Sequence, residues 1–145
     1  MFSQLATRSK LMITLALINL LGACGATPDA LQVSQAQVRD LVPGRDTTAG
    51  YFVLTNNTAT EITLNGATSD LARAIEMHKT VQRESSVGMQ RVRTLTIKPN
   101  EQVRFETGGL HLMIFGVAKV PDVFPITLTF TNGEQLDVTF SKLPL

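Results

Sequence analysis

The sequence predicts an all-β domain, an antiparallel sandwich or barrel. Short segments in which polar and apolar residues alternate recur along the chain, with turn signals between them. β-branched and aromatic residues are frequent in these segments, as is typical of strands. The clearest pair, residues 125–130 and 135–140, flanks an Asn132-Gly133 turn and predicts a β-hairpin. Strands so short and so closely spaced indicate a sandwich or barrel.

The other predicted elements follow in chain order. Strands are predicted at residues 51–55, 61–64, 74–78, 91–97, 102–105 and 110–115. Turn signals end or begin them, among them Asn65-Gly66 and Gly108-Gly109. Helix is limited to a single turn around residues 69–73, which Ser69 or Asp70 could cap.

The N-terminus predicts export. Residues 1–10 contain Arg8, Lys10 and no acidic residue, and the thirteen residues 11–23 are almost wholly apolar. A membrane-spanning helix needs roughly 20 such residues, so this stretch is typical of a secretory signal. It ends at residues 21–24 (LGAC), which resemble the lipobox of bacterial lipoproteins. The resemblance implies acylation of Cys24, whereas an ordinary signal with an incidental cysteine is the alternative.

These features divide the chain into a lipoprotein signal peptide (1–23), a lipid-anchored tether (24–32) and one β-domain (33–145). Gly25 after Cys24 favours the outer membrane if the cell is Gram-negative. The chain has 13 basic and 12 acidic residues, and Arg8 and Lys10 fall in the leader, so the mature part carries a net charge of −1. This gives no basis for nucleic-acid binding. With Cys24 acylated, no disulfide can form.

The histidines and methionines form the main functional signal. The chain has two histidines, and both belong to one pattern: His78, ten residues, Met89, twenty-one residues, His111, one residue, Met113. Imidazole and thioether make a soft, neutral ligand set that suits Cu(I). Two thioethers argue against zinc, and a blue-copper electron carrier needs a cysteine thiolate. No catalytic constellation can be assembled because both histidines are assigned, so we expect no enzyme.

The predicted strands place these residues. His111 and Met113 are two apart on a strand and share a face. Met77 shares a face with Ile75 and is expected in the core, opposite His78. Met89 follows a polar segment, residues 83–88, and is expected on a loop from which it can swing in and out of the site. Taken singly, a histidine on a strand is usually a surface residue and a methionine usually fills core space.

Together, the four residues match the motif of the periplasmic copper chaperones called PCuAC. Residues 49–56 (AGYFVLTN) and 108–113 (GGLHLM) resemble two segments of that family, and the resemblance covers about residues 33–141. It implies a cupredoxin-like fold and a Cu(I) site. It also implies delivery toward cytochrome c oxidase, alongside a thioredoxin-like copper protein. Lys79 departs from the family pattern, and a cation there would slightly disfavour Cu(I). A His- and Met-rich tail is also missing, which puts a second, Cu(II) site in doubt.

Three functions are therefore open. The first is a lipid-anchored, extracytoplasmic Cu(I) carrier that passes copper to another protein. The second is a copper-sequestering or tolerance lipoprotein that stores the ion without transferring it. The third is a metal-free β-sandwich that acts as an adhesion or scaffold module. The sequence does not name a copper recipient.

Overall fold

The computed structural model describes residues 29–145, so the predicted leader, Cys24 and the first part of the tether lie outside the described residues. The described part is built from ten strands and contains no helix that could cross a membrane. In chain order they are β1 (Leu31–Arg39), β2 (Thr47–Asn56), β3 (Ile62–Thr68), β4 (Ala74–Arg83), β5 (Ser86–Val92), β6 (Leu95–Ile97), β7 (Gln102–Phe105), β8 (Leu110–Phe115), β9 (Val123–Phe130) and β10 (Gln135–Leu143).

Seven of these strands close into a ring. The order β4-β8-β2-β1-β10-β9-β3 runs through hydrogen-bonded neighbours, and β3 pairs back onto β4 between Ala67 and Ile75. β5 and β6 extend the two ends of this order, and β7 pairs with β2. Every pair is antiparallel except β1 and β10, which run parallel. The predicted all-β sandwich or barrel is confirmed, with this one parallel pair.

The core lies inside the ring and is mainly aromatic and aliphatic. In β9 every second residue is buried, ending at Phe130, which is 2% exposed. Phe52 connects several strands: its ring stacks on Phe105 at 4.1 Å between centroids and meets Phe140 edge-on at 5.6 Å. Such aromatic contacts stabilise a core beyond the area that they bury. This packing supports the outer face of β4 and β8.

The predicted helical turn and the predicted end of β3 are both wrong. Residues 69–73 form a turn instead of helix: the Ser69 hydroxyl accepts the Leu71 N–H, and the Arg73 N–H donates to the Phe115 carbonyl as β4 begins. Asn65-Gly66 does not end β3, which continues to Thr68. The pairing with β9 shifts register between residues 64 and 66, so the glycine marks an irregularity inside the strand.

Strand β1 was not among the predicted elements. Gln35 has a φ of 55°, and the pairing with β2 shifts register between Ser34 and Gln37. This irregularity interrupts the alternation that would reveal a strand. The predicted single strand 91–97 is divided between β5 and β6, because β5 pairs with β4 whereas β6 pairs with β3.

Candidate metal centre

Three of the four predicted ligands lie on the outer face of β4 and β8. In β8, the buried Leu112 and Ile114 face the core and alternate with His111 and Met113, which therefore face outward. In β4, Met77 is 4% exposed and belongs to the core. This confirms the prediction that Met77 is a core residue, and it places His78 on the outer face.

The two histidines are direct neighbours across the sheet. His78 on β4 is in register with His111 on β8, although thirty-two residues separate them in the printed sequence. Their ring centroids are 6.3 Å apart. Metal–nitrogen bonds are about 2.0–2.1 Å long, so neighbouring rings at this spacing can share one ion after small side-chain rotations. The strand pairing thus brings together two donors that are distant in sequence.

The backbone holds His111 in one orientation. Its Nδ1 is 3.0 Å from the Gly109 carbonyl oxygen, which can only accept, so Nδ1 carries the proton. The same carbonyl accepts the Thr80 N–H at 3.1 Å. Gly108, at a φ of 78°, provides the turn that aims this carbonyl. His111 is 5% exposed, and its Nε2 remains available as the metal-binding nitrogen.

His78 has a different partner. Its Nε2 lies 2.9 Å from Oε2 of Glu76, whose other oxygen lies 2.9 Å from Nη1 of Arg91. The hydrogen bond from His78, together with the Arg91 charge, lowers the pKa of Glu76 below its ordinary value. The Nδ1 atom of His78 is buried and has no hydrogen-bond partner in the described part of the chain. A buried nitrogen without a partner is costly, and a bound metal would satisfy it.

Met89 is not on a loop, and that prediction is wrong. It lies in β5, in register with Thr80 on β4. Residues 86–88, which resemble a loop in sequence, pair with residues 81–83, and only residues 84 and 85 form the turn. Strand pairing along the hairpin outweighs the low strand propensity of the serine and glycine there. Met89 is nevertheless 61% exposed, because β5 has a strand on one side only.

An open cleft of about 280 Å³ joins three of the four ligands. Met89, His111 and Met113 line it together with Thr80. Met113 is partly buried and is in register with Ala49 of β2, which also lines the cleft. His78 does not line this cleft. It lies beside His111 and contacts the Glu76 carboxylate. The structure therefore gathers three predicted donors around one space and places the fourth next to it.

The residues around His78 differ from what the sequence indicated. Lys79 follows His78 directly in β4, so its side chain faces the opposite side of the strand. It therefore does not share the outer face with the predicted ligands. Glu76 and Arg91 were not predicted as site residues. Glu76 contacts His78 directly, and Arg91 contacts the Glu76 carboxylate. The shared face of Glu76 and His78 is visible in the sequence, whereas the position of Arg91 depends on the β4–β5 register.

The predicted donor set is two imidazoles and two thioethers. Among residues 29–145 no cluster of three or more His, Cys, Asp or Glu occurs, so a site here depends on the methionines. All four donors are neutral when the imidazoles are unprotonated, and this soft set matches Cu(I). The unpartnered Nδ1 of His78 and the free Nε2 of His111 fit such an ion.

Comparisons with known proteins show what the fold resembles. The copper-bound PCuAC domain from PmoF2 superposes with a TM-score of 0.67 at 17% identity, over 80% of this chain and 94% of that one. The CuI-DR1885 structure from Deinococcus radiodurans has a TM-score of 0.63 and 30% identity, over 83% of this chain and 82% of that one. "Putative lipoprotein Lxx21020" from Leifsonia xyli subsp. xyli (strain CTCB07) is 29% identical over 119 residues, which are 79% of this chain and 70% of the relative.

The fold is that of a PCuAC-type domain, a cupredoxin-like β-sandwich. The profile of the family described as "Putative lipoprotein LpqE-like" matches residues 31–141. The chain belongs to this LpqE-like family.

Proposed function

We propose that this protein is a Cu(I) carrier that holds one ion with His78, Met89, His111 and Met113 and passes it to another protein. One observation carries the proposal: the two histidines are cross-strand neighbours, and the described structure leaves one nitrogen of His78 buried without a partner. The copper-bound state of the PmoF2 domain and the Cu(I) state of DR1885 support the choice of ion.

Each donor would have a distinct part in holding copper. His111 is fixed by the Gly109 carbonyl and gives the site a rigid nitrogen. Met113 is partly buried and lines the cleft, as does its cross-strand neighbour Ala49. Met89 is the most exposed of the four and lies on an edge strand. An acceptor that approaches from solvent would therefore meet Met89 first, and we expect this thioether to leave the ion first.

The exposure of Met89 favours transfer over storage. A storage site excludes competing ligands, whereas a thioether that is 61% exposed allows a second protein to exchange ligands with the ion. We propose delivery toward cytochrome c oxidase, with a thioredoxin-like copper protein as a further partner. A deletion strain under copper limitation tests this. Reduced oxidase activity, restored by added copper, supports delivery, whereas normal oxidase activity with increased copper sensitivity supports sequestration.

The proposed place of action is outside the cytoplasm, on a bacterial membrane. The LpqE-like family and the Leifsonia relative are both described as lipoproteins, which supports lipid attachment through Cys24. The Cys24→Ala variant should be unlipidated and should lose membrane retention after processing, because acyl chains supply the anchor. Fractionation of this variant with membranes, as for the wild type, would contradict the anchor. The outer membrane is the proposed location if the cell is Gram-negative.

The binding proposal is tested by competition with a Cu(I) chelator. The chain offers a matched set, since Met77, Met89 and Met113 are the methionines of residues 29–145. The Met89→Leu and Met113→Leu double variant removes both thioethers and should bind Cu(I) much more weakly. Met77→Leu removes a thioether of the core and should bind as the wild type does. Equal affinities in all three proteins would overturn the proposed site.

A further inference from the structure

Glu76 and Arg91 lie next to His78, and what they do for His78 rests on the proposed function only where the metal is concerned. Glu76, His78 and Arg91 form a chain of contacts on the outer face of β4 and β5. Glu76 and His78 share this face because they are two apart on β4, and Arg91 is the cross-strand neighbour of His78. Both oxygens of the Glu76 carboxylate are thereby engaged.

The direction of the hydrogen bond follows from the acceptor. An ionised carboxylate can only accept, so the proton between Oε2 of Glu76 and Nε2 of His78 belongs to the histidine. The contact with Arg91 favours the ionised form of this carboxylate. A neutral imidazole has a single N–H, so its other nitrogen, Nδ1, holds the lone pair.

The surroundings of Nδ1 support the neutral ring. This atom is buried and has no hydrogen-bond partner among the described residues. A fully protonated ring would place an N–H there without an acceptor, which is a destabilising arrangement. His78 therefore presents a buried lone pair at Nδ1, whereas His111 uses Nδ1 for its backbone contact and keeps Nε2 free.

We propose that the Arg91–Glu76 pair positions His78 by fixing its tautomer, so that the two histidines offer different nitrogens to the metal: Nδ1 from His78 and Nε2 from His111. Glu76 is a positioning residue and does not itself bind the ion. A carboxylate that accepts from the distal nitrogen of a ligating histidine fixes the ring and raises its basicity. Loss of such a partner typically lowers metal affinity by about 10- to 100-fold.

The test is long-range ¹H–¹⁵N correlation spectroscopy of the full chain, first without metal. These spectra distinguish protonated from unprotonated ring nitrogens. The wild type should show His78 protonated at Nε2 and His111 protonated at Nδ1. The Glu76→Leu variant should lose the fixed tautomer of His78, and Glu76→Gln should retain it because the amide oxygen still accepts. Glu84→Leu, in the exposed turn of the same hairpin, is the matched control and should resemble the wild type.

Three results would overturn the proposal. They are a wild-type His78 protonated at Nδ1, a doubly protonated His78 at neutral pH, and a Glu76→Leu variant with an unchanged tautomer. Addition of Cu(I), which is diamagnetic, then extends the test: the His78 Nδ1 and His111 Nε2 resonances should shift. A shift at His78 Nε2 would mean that copper displaces Glu76, and this also contradicts the proposal. A fixed tautomer without any copper-dependent shift would instead reject the proposed copper function. Circular dichroism of each variant verifies that it is folded.

Discussion

The β9–β10 and β4–β5 hairpins have similar lengths but opposite surroundings. In β9 the residues alternate between exposed and buried, and four of its eight are buried. In β5 none of the seven residues is buried. Both strands of the first hairpin belong to the closed ring, whereas β5 is an edge strand. The difference separates two tasks: β9 and β10 supply apolar burial that stabilises the fold, while β5 leaves Met89 exposed to solvent and to partners.

The largest expected effect is on the buried hairpin. Phe140 of β10 is fully buried against Phe52, and its replacement by alanine should lower the free energy of unfolding by about 3–5 kcal/mol. The matched change in the exposed hairpin, Met89→Ala, should alter it by no more than about 0.5 kcal/mol. Urea unfolding followed by circular dichroism measures both. Similar losses in the two variants would remove the distinction between the hairpins.

Acid should separate the two regions in a second way. Both imidazoles must be neutral to bind a metal, so protons compete with copper for His78 and His111. Cu(I) affinity should therefore fall as the pH falls. The limit, with two protons taken up per ion, is on the order of 100-fold per pH unit. Strands β9 and β10 contain no histidine, and the β signature should persist. A chelator titration corrected for chelator protonation measures the affinity, and a flat profile would exclude the histidines as ligands.

A smaller effect is expected at a buried polar residue of the well-packed part. Asn56 is fully buried, and its amide donates to the carbonyls of Thr60, Ile97 and Lys98. Asn56→Ala would leave these carbonyls without their donor, at a cost of about 1–3 kcal/mol. The neighbouring Asn57→Ala, whose amide makes an exposed contact with the Asp29 carbonyl, is the control. Equal stabilities of the two variants would show that the Asn56 contacts contribute little.

The smallest effect concerns Glu76 and the decrease in the free energy of unfolding at low pH. Its pKa is lowered, first by the hydrogen bond from His78 and then by Arg91, from an ordinary value of 4.5. The carboxylate therefore stabilises the fold above that value, and this contribution is lost as the pH falls through the lowered pKa. Urea unfolding at pH values on both sides should show a smaller acid loss for Glu76→Gln than for the wild type. An identical pH dependence would mean that the contact does not stabilise the fold.

The same two hairpins show what the sequence could predict. For β9–β10, alternation and the Asn132-Gly133 turn agree, and the structure has this hairpin with Gly133 at a φ of 85°. For β4–β5, the turn at residues 84–85 contains no glycine, while Gly88 lies inside β5. Local turn chemistry therefore indicates a loop where strand pairing makes a hairpin. The prediction fails because pairing with β4 stabilises β5, and a local sequence pattern does not contain that pairing.

The site follows the same rule. His111 and Met113 were predicted on one face because they lie two apart on a strand, a local relation. The proximity of His78 to His111 depends on the β4–β8 register, and sequence could suggest it only through the family resemblance. Arg91 reaches Glu76 through the β4–β5 register and was not predicted. Local periodicity thus identifies faces, whereas the contacts across strands require the fold.

The central claim, that imidazoles and thioethers on this face bind Cu(I), is tested most directly by X-ray absorption at the copper edge. The Cu(I)-loaded wild type should show mixed nitrogen and sulfur scattering. The sulfur contribution should disappear in the Met89→Leu and Met113→Leu double variant and persist in Met77→Leu. Scattering from nitrogen and oxygen alone in the wild type would contradict the account.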